Sequence, residues 1–434
     1  MLSYYFELAL RSFRKSPGLT ALMLATIALG VSACMTTLTV FHVLARDPIP
    51  HKSAQLFNIQ LDAQSMGNDF NPGEEPTLQL TRFDAEALLR EARADRQVMM
   101  TGGNVSLTPE GGSERPFIAR SRYPSADFFA MFDVPFQFGQ GWTRADDEAQ
   151  SRVAIISHEL NERLLGGADS RGKTLRLRDK ELRIIGVLKP WRPAPHFFDL
   201  TLGSYNEGAE VYLPFSTAMG LKFGGSGNFN CWGNAGADAR GVNAPCAWIQ
   251  YWVELSTPVK AAAYLDYLKQ YSDRQRQAGR FERPTNVRMY SVMDWLAHQQ
   301  VVPADVSLQL WLAFGFLIVC LVNTVGLQLA KCLRRSGEIG VRRALGAPRK
   351  QIFLQFVVEA GSLGLVGGAI GLLLTLAGLW AVRQGSAQYA ELAQMDLSML
   401  ATTLLVSLLA SLLAGLLPAW RACQIQPALQ LKTQ

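Results

Sequence analysis

The sequence predicts an α-helical membrane protein: four transmembrane helices, with a large extracytoplasmic α+β domain inserted between the first and the second. Three observations carry this. Of 434 residues, 49% are hydrophobic and 18% charged, fewer charges than the quarter usual in soluble domains; disorder, collagen and a small disulfide scaffold are excluded. Four stretches, 19–44, 306–330, 360–382 and 397–420, contain no Asp, Glu, Lys or Arg, and each exceeds the ~20 helical residues that cross ~30 Å of hydrocarbon. Basic residues gather in the short segments that flank these stretches on one side.

The N-terminal segment, 1–18, reads as cytoplasmic because Arg11, Arg14 and Lys15 outweigh Glu7, and short flanks rich in Lys and Arg stay inside. The first span, 19–44, starts like a secretory signal, and Val31-Ser32-Ala33-Cys34 resembles a lipoprotein cleavage box. Its apolar run continues through Met35, Leu38, Val40, Phe41 and Leu44, too long for a signal core and suited to a retained helix. The second span, 306–330, leads into a loop, 331–351, with Lys331, Arg334, Arg335, Arg342, Arg343, Arg349 and Lys350 against Glu338. That loop is cytoplasmic by the same rule. A third span over 352–382, a short periplasmic loop, 383–396, a fourth span, 397–420, and a cytoplasmic tail, 421–434, complete the order. With both termini inside, the domain 45–305 lies outside. The net charge of +6 is then topology and contact with acidic lipid, not nucleic-acid binding.

Within 45–305 short alternating segments predict an α+β domain. Expected strands are 57–61, 116–122, 153–156, the hairpin pair 174–177 and 182–188, 210–213, 248–255 and 287–290. Expected helices are 83–92, 126–132, 158–165 and 258–278; the last has Ser256 and Thr257 before it, Pro258 in its first turn and Gly279 after its end. Phe128, Phe129, Phe132, Phe136 and Phe138 form an aromatic group read as domain core.

Gly167-Ala168-Asp169-Ser170-Arg171-Gly172-Lys173-Thr174 fits the phosphate-loop pattern. Its context is reversed, since an expected helix precedes it and an expected strand follows, so it is read as a turn. Cys231 and Cys246 bracket a Gly- and Asn-rich segment; in an oxidising compartment a disulfide between them is expected. Cys320, Cys332 and Cys423 lie in or next to the membrane and read as packing residues. His42, His51, His158, His196 and His298 show no metal-ligand spacing, and no Gly-x-Ser-x-Gly elbow occurs; neither a catalytic nor a metal site is expected.

The loop 331–351 holds the most informative stretch. Glu338, Ile339, Gly340, Val341, Arg342, Arg343, Ala344, Leu345, Gly346 and Ala347 fit a short amphipathic helix, which Gly346 and Pro348 end and whose N-terminal dipole Glu338 complements. This string, continued by Gln351-Ile352, Gln355-Phe356 and Glu359-Ala360, resembles the cytoplasmic signature of the MacB/FtsX family of ABC-transporter permeases. Leu417-Pro418-Ala419-Trp420-Arg421-Ala422, followed by Gln426-Pro427-Ala428-Leu429, is similar to the family's last helix. Ala126-Asp127-Phe128-Phe129, 153–157, 172–177 and 185–187 are similar to the MacB-type periplasmic core domain.

The resemblance implies a bacterial inner-membrane permease subunit that works with a cytoplasmic ABC ATPase dimer, docked on Glu338 to Ala347 as a coupling helix. It implies no cofactor in this chain, ATP and Mg belonging to a separate ATPase. A second permease subunit, equal or unlike, is implied, and a periplasmic adaptor and outer-membrane channel are further partners considered. The expected work is export of an amphiphilic compound or peptide by mechanotransmission. Lipoprotein extraction, as in Lol-type relatives, and regulation of a periplasmic hydrolase, as in FtsX-like members, are the alternatives. Gly364 with Gly368, and Gly367 with Gly371, form two Gly-x-x-x-Gly pairs in the third span, which agree with a packed dimer or with packing inside one subunit. Glu359, near the charged end of that span, is a functional acid or the partner of a nearby Arg.

Overall fold

The computed structural model describes residues 2–67, 70–109, 115–385, 395 and 397–423. The chain divides into two compact units, Met1–Ala45 with Val302–Gln434, and Arg46–Val301. The first unit is helical and the second is α+β, as the composition implied.

Four helices of the first unit are long and apolar enough to cross a membrane: Pro17–Ala45, Ala304–Arg334, Arg349–Arg383 and Leu397–Cys423. The second and third outrun the charge-free stretches because Lys, Arg and Glu are good helix formers, so charge marks the membrane edge without ending the helix. The break between these two is local chemistry. Gly346 takes a φ of +94° that a side chain would resist, and Pro348 precedes the next helix. One element was not expected: residues 2–15 form a separate helix, Leu2–Lys15, set off from the first span by Ser16 and Pro17. Met23, Ile27, Val31, Cys34 and Met35 of the first span pack with Leu317, Leu363 and Met399 of the other three. Cys34, the residue of the cleavage-box resemblance, therefore faces neighbouring helices. Most of the 383–396 loop and the 426–429 motif lie outside the described residues, as does the side chain of Cys423.

In the second unit thirteen strands, among the described residues, join one sheet. Its main path runs Val287–Ser291, Leu56–Leu61, Cys246–Glu254, Arg96–Thr108, Phe117–Pro124, Val211–Tyr212, Val153–Ile156, Lys180–Leu188 and Phe136–Gly139. Neighbours are antiparallel except at Phe117–Pro124 with Val211–Tyr212 and at Val153–Ile156 with Lys180–Leu188. Cys246–Glu254 is buried along its whole length, the behaviour of a strand covered on both faces.

Arg96–Thr108 is the one long strand the sequence did not predict. Gly102 and Gly103 sit in its middle, where glycine weakens strand preference. They are required there because a Cβ on Gly103 would run into the Tyr123 ring of the paired strand, and one on Gly102 would meet Leu202 and Ser226. Phe128, Phe129 and Phe132 are buried and make edge-to-face contacts with Phe198, Trp142 and Trp252 respectively, so they are core. The helix Pro258–Gln277 starts where capping chemistry placed it: Lys260 N donates to Thr257 Oγ1 at 3.3 Å. Tyr264, Leu268 and Tyr271 form its buried face.

Candidate functional site

The short amphipathic helix expected within 331–351 is present as Ser336–Ala344, with Glu338 in its first turn and Arg342 and Arg343 in its last. Charges so placed complement the helix dipole. Ile339 is buried against Cys332 and Ile352, with Phe353 and Phe356 beside them, and Gly340 is buried too. That contact pins the short helix to the ends of the second and third spans. The opposite side stays open: Val341 is 52% and Leu345 84% exposed. Ala344 and Gly346 are exposed next to them, and Ala347 is half-buried. Val341 and Leu345 thus form an exposed apolar strip on a helix whose other side is anchored.

Behind the helix runs a chain of charged groups that sequence reasoning had only touched at Glu359. The Glu359 carboxylate, 7% exposed, lies 2.6 Å from Lys331 Nζ and 3.4 Å from Arg335 Nη1. The Ser12 hydroxyl donates to Glu359 Oε1 at 2.7 Å, and Arg335 Nη1 donates to Ser12 Oγ at 2.8 Å. Lys331 also sits over the Phe13 ring, 5.0 Å from its centre. Arg335 Nε is 3.8 Å from Glu338, whose carboxylate takes Arg342 Nη2 at 2.7 Å and Lys15 Nζ at 3.7 Å. Arg342 Nη1 finally donates to Gln355 Oε1 at 3.3 Å.

Four segments meet in this network: the N-terminal helix through Ser12 and Lys15, the end of the second span through Lys331 and Arg335, the helix Ser336–Ala344 through Glu338 and Arg342, and the start of the third span through Gln355 and Glu359. Buried carboxylate and ammonium groups are costly unless paired and hydrogen-bonded, and Glu359 has three partners. An acid inside a run, 351–382, that is otherwise without charge was its signal in the sequence. Lys331 and Arg335 stand one helical turn apart and so share a face, but nothing local pointed to Ser12.

The four glycines of the third span are occupied inside this chain. A Cβ on Gly364 or Gly368 would press on Ser411 or Ser407 of the fourth span, and one on Gly367 or Gly371 on Ile27 or Ala28 of the first. Ser407 Oγ also donates to the Gly364 carbonyl at 2.8 Å. The two pairs thus bring the third helix against the fourth and the first, and the dimer use of these glycines gives way to packing within one subunit.

In the domain, Cys231 and Cys246 are joined in a disulfide between directly paired strand positions. The phosphate-loop look-alike follows the helix His158–Leu165 and precedes the strand Thr174–Leu177. Its amides are engaged internally: Gly172 N donates to Ile184 O at 2.8 Å and Lys173 N to Ser170 O at 3.2 Å. Buried Asn161 and Ser170 tie the loop back to the preceding helix, Ser170 Oγ donating to Asn161 Oδ1 at 2.6 Å. Among the described residues no group of three or more His, Cys, Asp or Glu is placed to hold a metal ion.

Comparison with known families matches residues 20–271 to the MacB-like periplasmic core domain and residues 310–427 to the FtsX-like permease C-terminal region. The chain belongs to the MacB/FtsX family of ABC-transporter permeases. Four apolar helices together with a MacB-type periplasmic core make this family member a multi-pass inner-membrane protein. It is 24% identical over 418 residues to the pyoverdine export ATP-binding/permease protein PvdT of Pseudomonas aeruginosa, covering 96% of this chain and 56% of that one. It is 23% identical over 438 residues to the macrolide export ATP-binding/permease protein MacB of Acinetobacter baylyi, covering 100% of this chain and 60% of that one. The chain therefore spans little more than half the length of these curated relatives. Among solved structures, the periplasmic region of MacB from Actinobacillus actinomycetemcomitans is similar over 59% of this chain and 96% of its own, with 13% identity and a TM-score of 0.37.

Proposed function

We propose that this chain is the permease subunit of an ABC exporter, and that a separate ABC ATPase dimer docks on the Ser336–Ala344 helix through Val341 and Leu345. The observation that carries the reading is the contrast on that helix: Ile339 buried, Val341 and Leu345 exposed, and the charged side held by a network reaching Ser12 and Glu359. The first and second spans are the helices by which the chain enters and leaves the 46–301 domain. The network holds the segment before the first and the end of the second, so a push on the coupling helix reaches both connections at once. That is mechanotransmission from ATP, with ATP and Mg bound by the ATPase.

In this reading both termini are cytoplasmic and the domain is periplasmic. A second permease subunit completes the transporter, and a periplasmic adaptor and outer-membrane channel receive an amphiphilic compound or peptide. The relatives named for export of pyoverdine and of macrolides favour that cargo class. The test is affinity purification of the chain expressed with its gene neighbours, followed by identification of what is retained. We expect an ABC ATPase with the wild type and its loss with Leu345→Glu. A wild-type chain that retains no ATPase, or a Leu345→Glu chain that retains it fully, contradicts the docking assignment.

A further inference from the structure

The second span, Ala304–Arg334, is the least covered of the four by the rest of the chain, and its open side carries a residue that does not suit lipid. Asn323 lies in the charge-free stretch 306–330, about two helical turns before Lys331, or ~12 Å along the axis and inside the hydrocarbon. Its side chain is exposed and, among the described residues, makes no hydrogen bond. The next residue is satisfied within the chain: Thr324 Oγ1 donates to Cys320 O at 2.8 Å and lies 3.2 Å from Thr26 Oγ1. An amide holds two donors and an acceptor, and in the bilayer core, without water, another protein surface must meet them.

Asn323 also stands in a line. Leu312, Phe316, Val319, Asn323, Gly326 and Ala330 follow one another at alternating steps of four and three, and all are exposed. That spacing keeps one face against a second helix along its whole length. Beside Asn323 the line turns small, and Gly326 and Ala330, one turn apart, allow two backbones to come close. The glycine pairs of the third span press on residues of neighbouring helices in the same chain, whereas a Cβ on Gly326 would meet nothing within 4 Å. Glycine inside a helix is destabilising without such a use, and the space that Gly326 leaves open lies outside this chain. Trp311, Ile318 and Val322, about a quarter-turn round the helix, form an exposed and wholly apolar face that suits lipid.

We propose that the Asn323 seam of the second span docks on the same seam of a second copy of this chain, the two helices running parallel. Across a two-fold axis each Asn323 Nδ2 donates to the Oδ1 of the other copy, because an amide is donor and acceptor at once and two identical faces satisfy each other. Lipid chains offer neither group. One polar residue in an otherwise apolar seam also fixes the register of the pair. That the two copies make up one transporter rests on the export reading; the contact itself does not, since it needs no ATPase.

The test co-expresses full chains bearing two different tags, without an ATPase, and oxidises the membranes to cross-link an introduced cysteine. The wild type carries the same native cysteines and sets the background. Val319→Cys is expected to give a cross-linked band that carries both tags, and Ile318→Cys, off the seam, no more than background. Adding Asn323→Leu to Val319→Cys should lower the cross-linked fraction about three- to tenfold, the loss of an interhelical hydrogen bond in lipid, and adding Gly326→Ile should lower it more than tenfold by holding the backbones apart. Asn323 is exposed and Gly326 has open space above it, so both variants should keep the wild-type unfolding midpoint. Equal cross-linking at 318 and 319 would leave the seam to lipid, a band joining this chain to a different protein would make the partner an unlike subunit, and an undiminished band with Asn323→Leu would remove the amide from the contact. Each of these overturns the proposal. None bears on ATPase docking, and loss of docking would leave this contact standing.

Discussion

Glu359 in the helical unit and the Arg122–Asp199 pair in the domain are both buried ionic groups, yet they are wired in opposite ways. Glu359 draws its partners from the N-terminal helix and the end of the second span, and lies on the third. Arg122 and Asp199, 7% and 0% exposed, are held inside the core of the sheet domain: Thr201 donates to Asp199 from two residues on, Gln250 Nε2 of the strand Cys246–Glu254 donates to it at 3.0 Å, and Arg122 lies 5.4 Å from the Phe198 ring centre. A network shared by several helices moves when any one of them moves; a pair enclosed in one core holds its surroundings still. The first arrangement suits transmission and the second suits a rigid domain.

The largest expected effect sharpens that comparison. Glu359→Leu leaves Lys331 buried without its closest counter-charge and should cost about 3–5 kcal/mol, most of it recovered in Glu359→Leu/Lys331→Leu. Denaturant unfolding in detergent measures this. Asp199→Leu should cost a similar amount through Arg122 but leave ATPase binding intact, and the comparison fails if it uncouples the ATPase as well. Next comes the covalent brace of the domain: Cys231→Ser/Cys246→Ser, which opens a loop with a sequence separation of 15, should cost about 3 kcal/mol. Its effect should appear in unfolding of the domain and not in ATPase retention.

Smaller effects separate the two units by pH and by charge. Burial pushes the Asp147 carboxyl up to about 6, against a hydrogen bond from Ser216 N at 2.9 Å. A raised carboxyl favours the folded state while protonated; that contribution is complete below the ordinary carboxylate range and is lost as pH rises through 6. Asp147→Asn should therefore stabilise by about 1–2 kcal/mol near pH 8 and by almost nothing near pH 4, read from unfolding midpoints at both. Glu338→Gln has the smallest effect on stability, below about 1 kcal/mol, because its partners are partly solvated. If the helix Ser336–Ala344 is the ATPase-docking element proposed above, the effect of this substitution on ATP-driven transport should be disproportionately large, since Glu338 joins that helix to the network.

The membrane helices were legible because a run of apolar residues long enough to span has few other uses, and the helix Pro258–Gln277 because its Thr cap, Pro and Gly act locally. Arg96–Thr108 was hidden by Gly102 and Gly103, whose reason lies on the neighbouring strand in Tyr123. The helix Ser336–Ala344 could be placed by its Gly346 and Pro348 stop and its apolar spacing. Its wiring could not, since Ser12 and Glu359 are 347 positions apart and only the folded bundle joins them. The glycine pairs gave the close approach but not the partner, because small residues look the same whether the neighbouring helix belongs to the same chain or another.

Hydrogen exchange across residues 46–301, with and without ATP, in the complex of this chain with its ATPase tests the central claim most directly. The wild-type complex should show an ATP-dependent change in the domain. A Glu359→Gln complex, with Val341 and Leu345 untouched, should retain the ATPase and lose that change. If the domain of the Glu359→Gln complex still responds to ATP as the wild type does, the network is not the path of coupling.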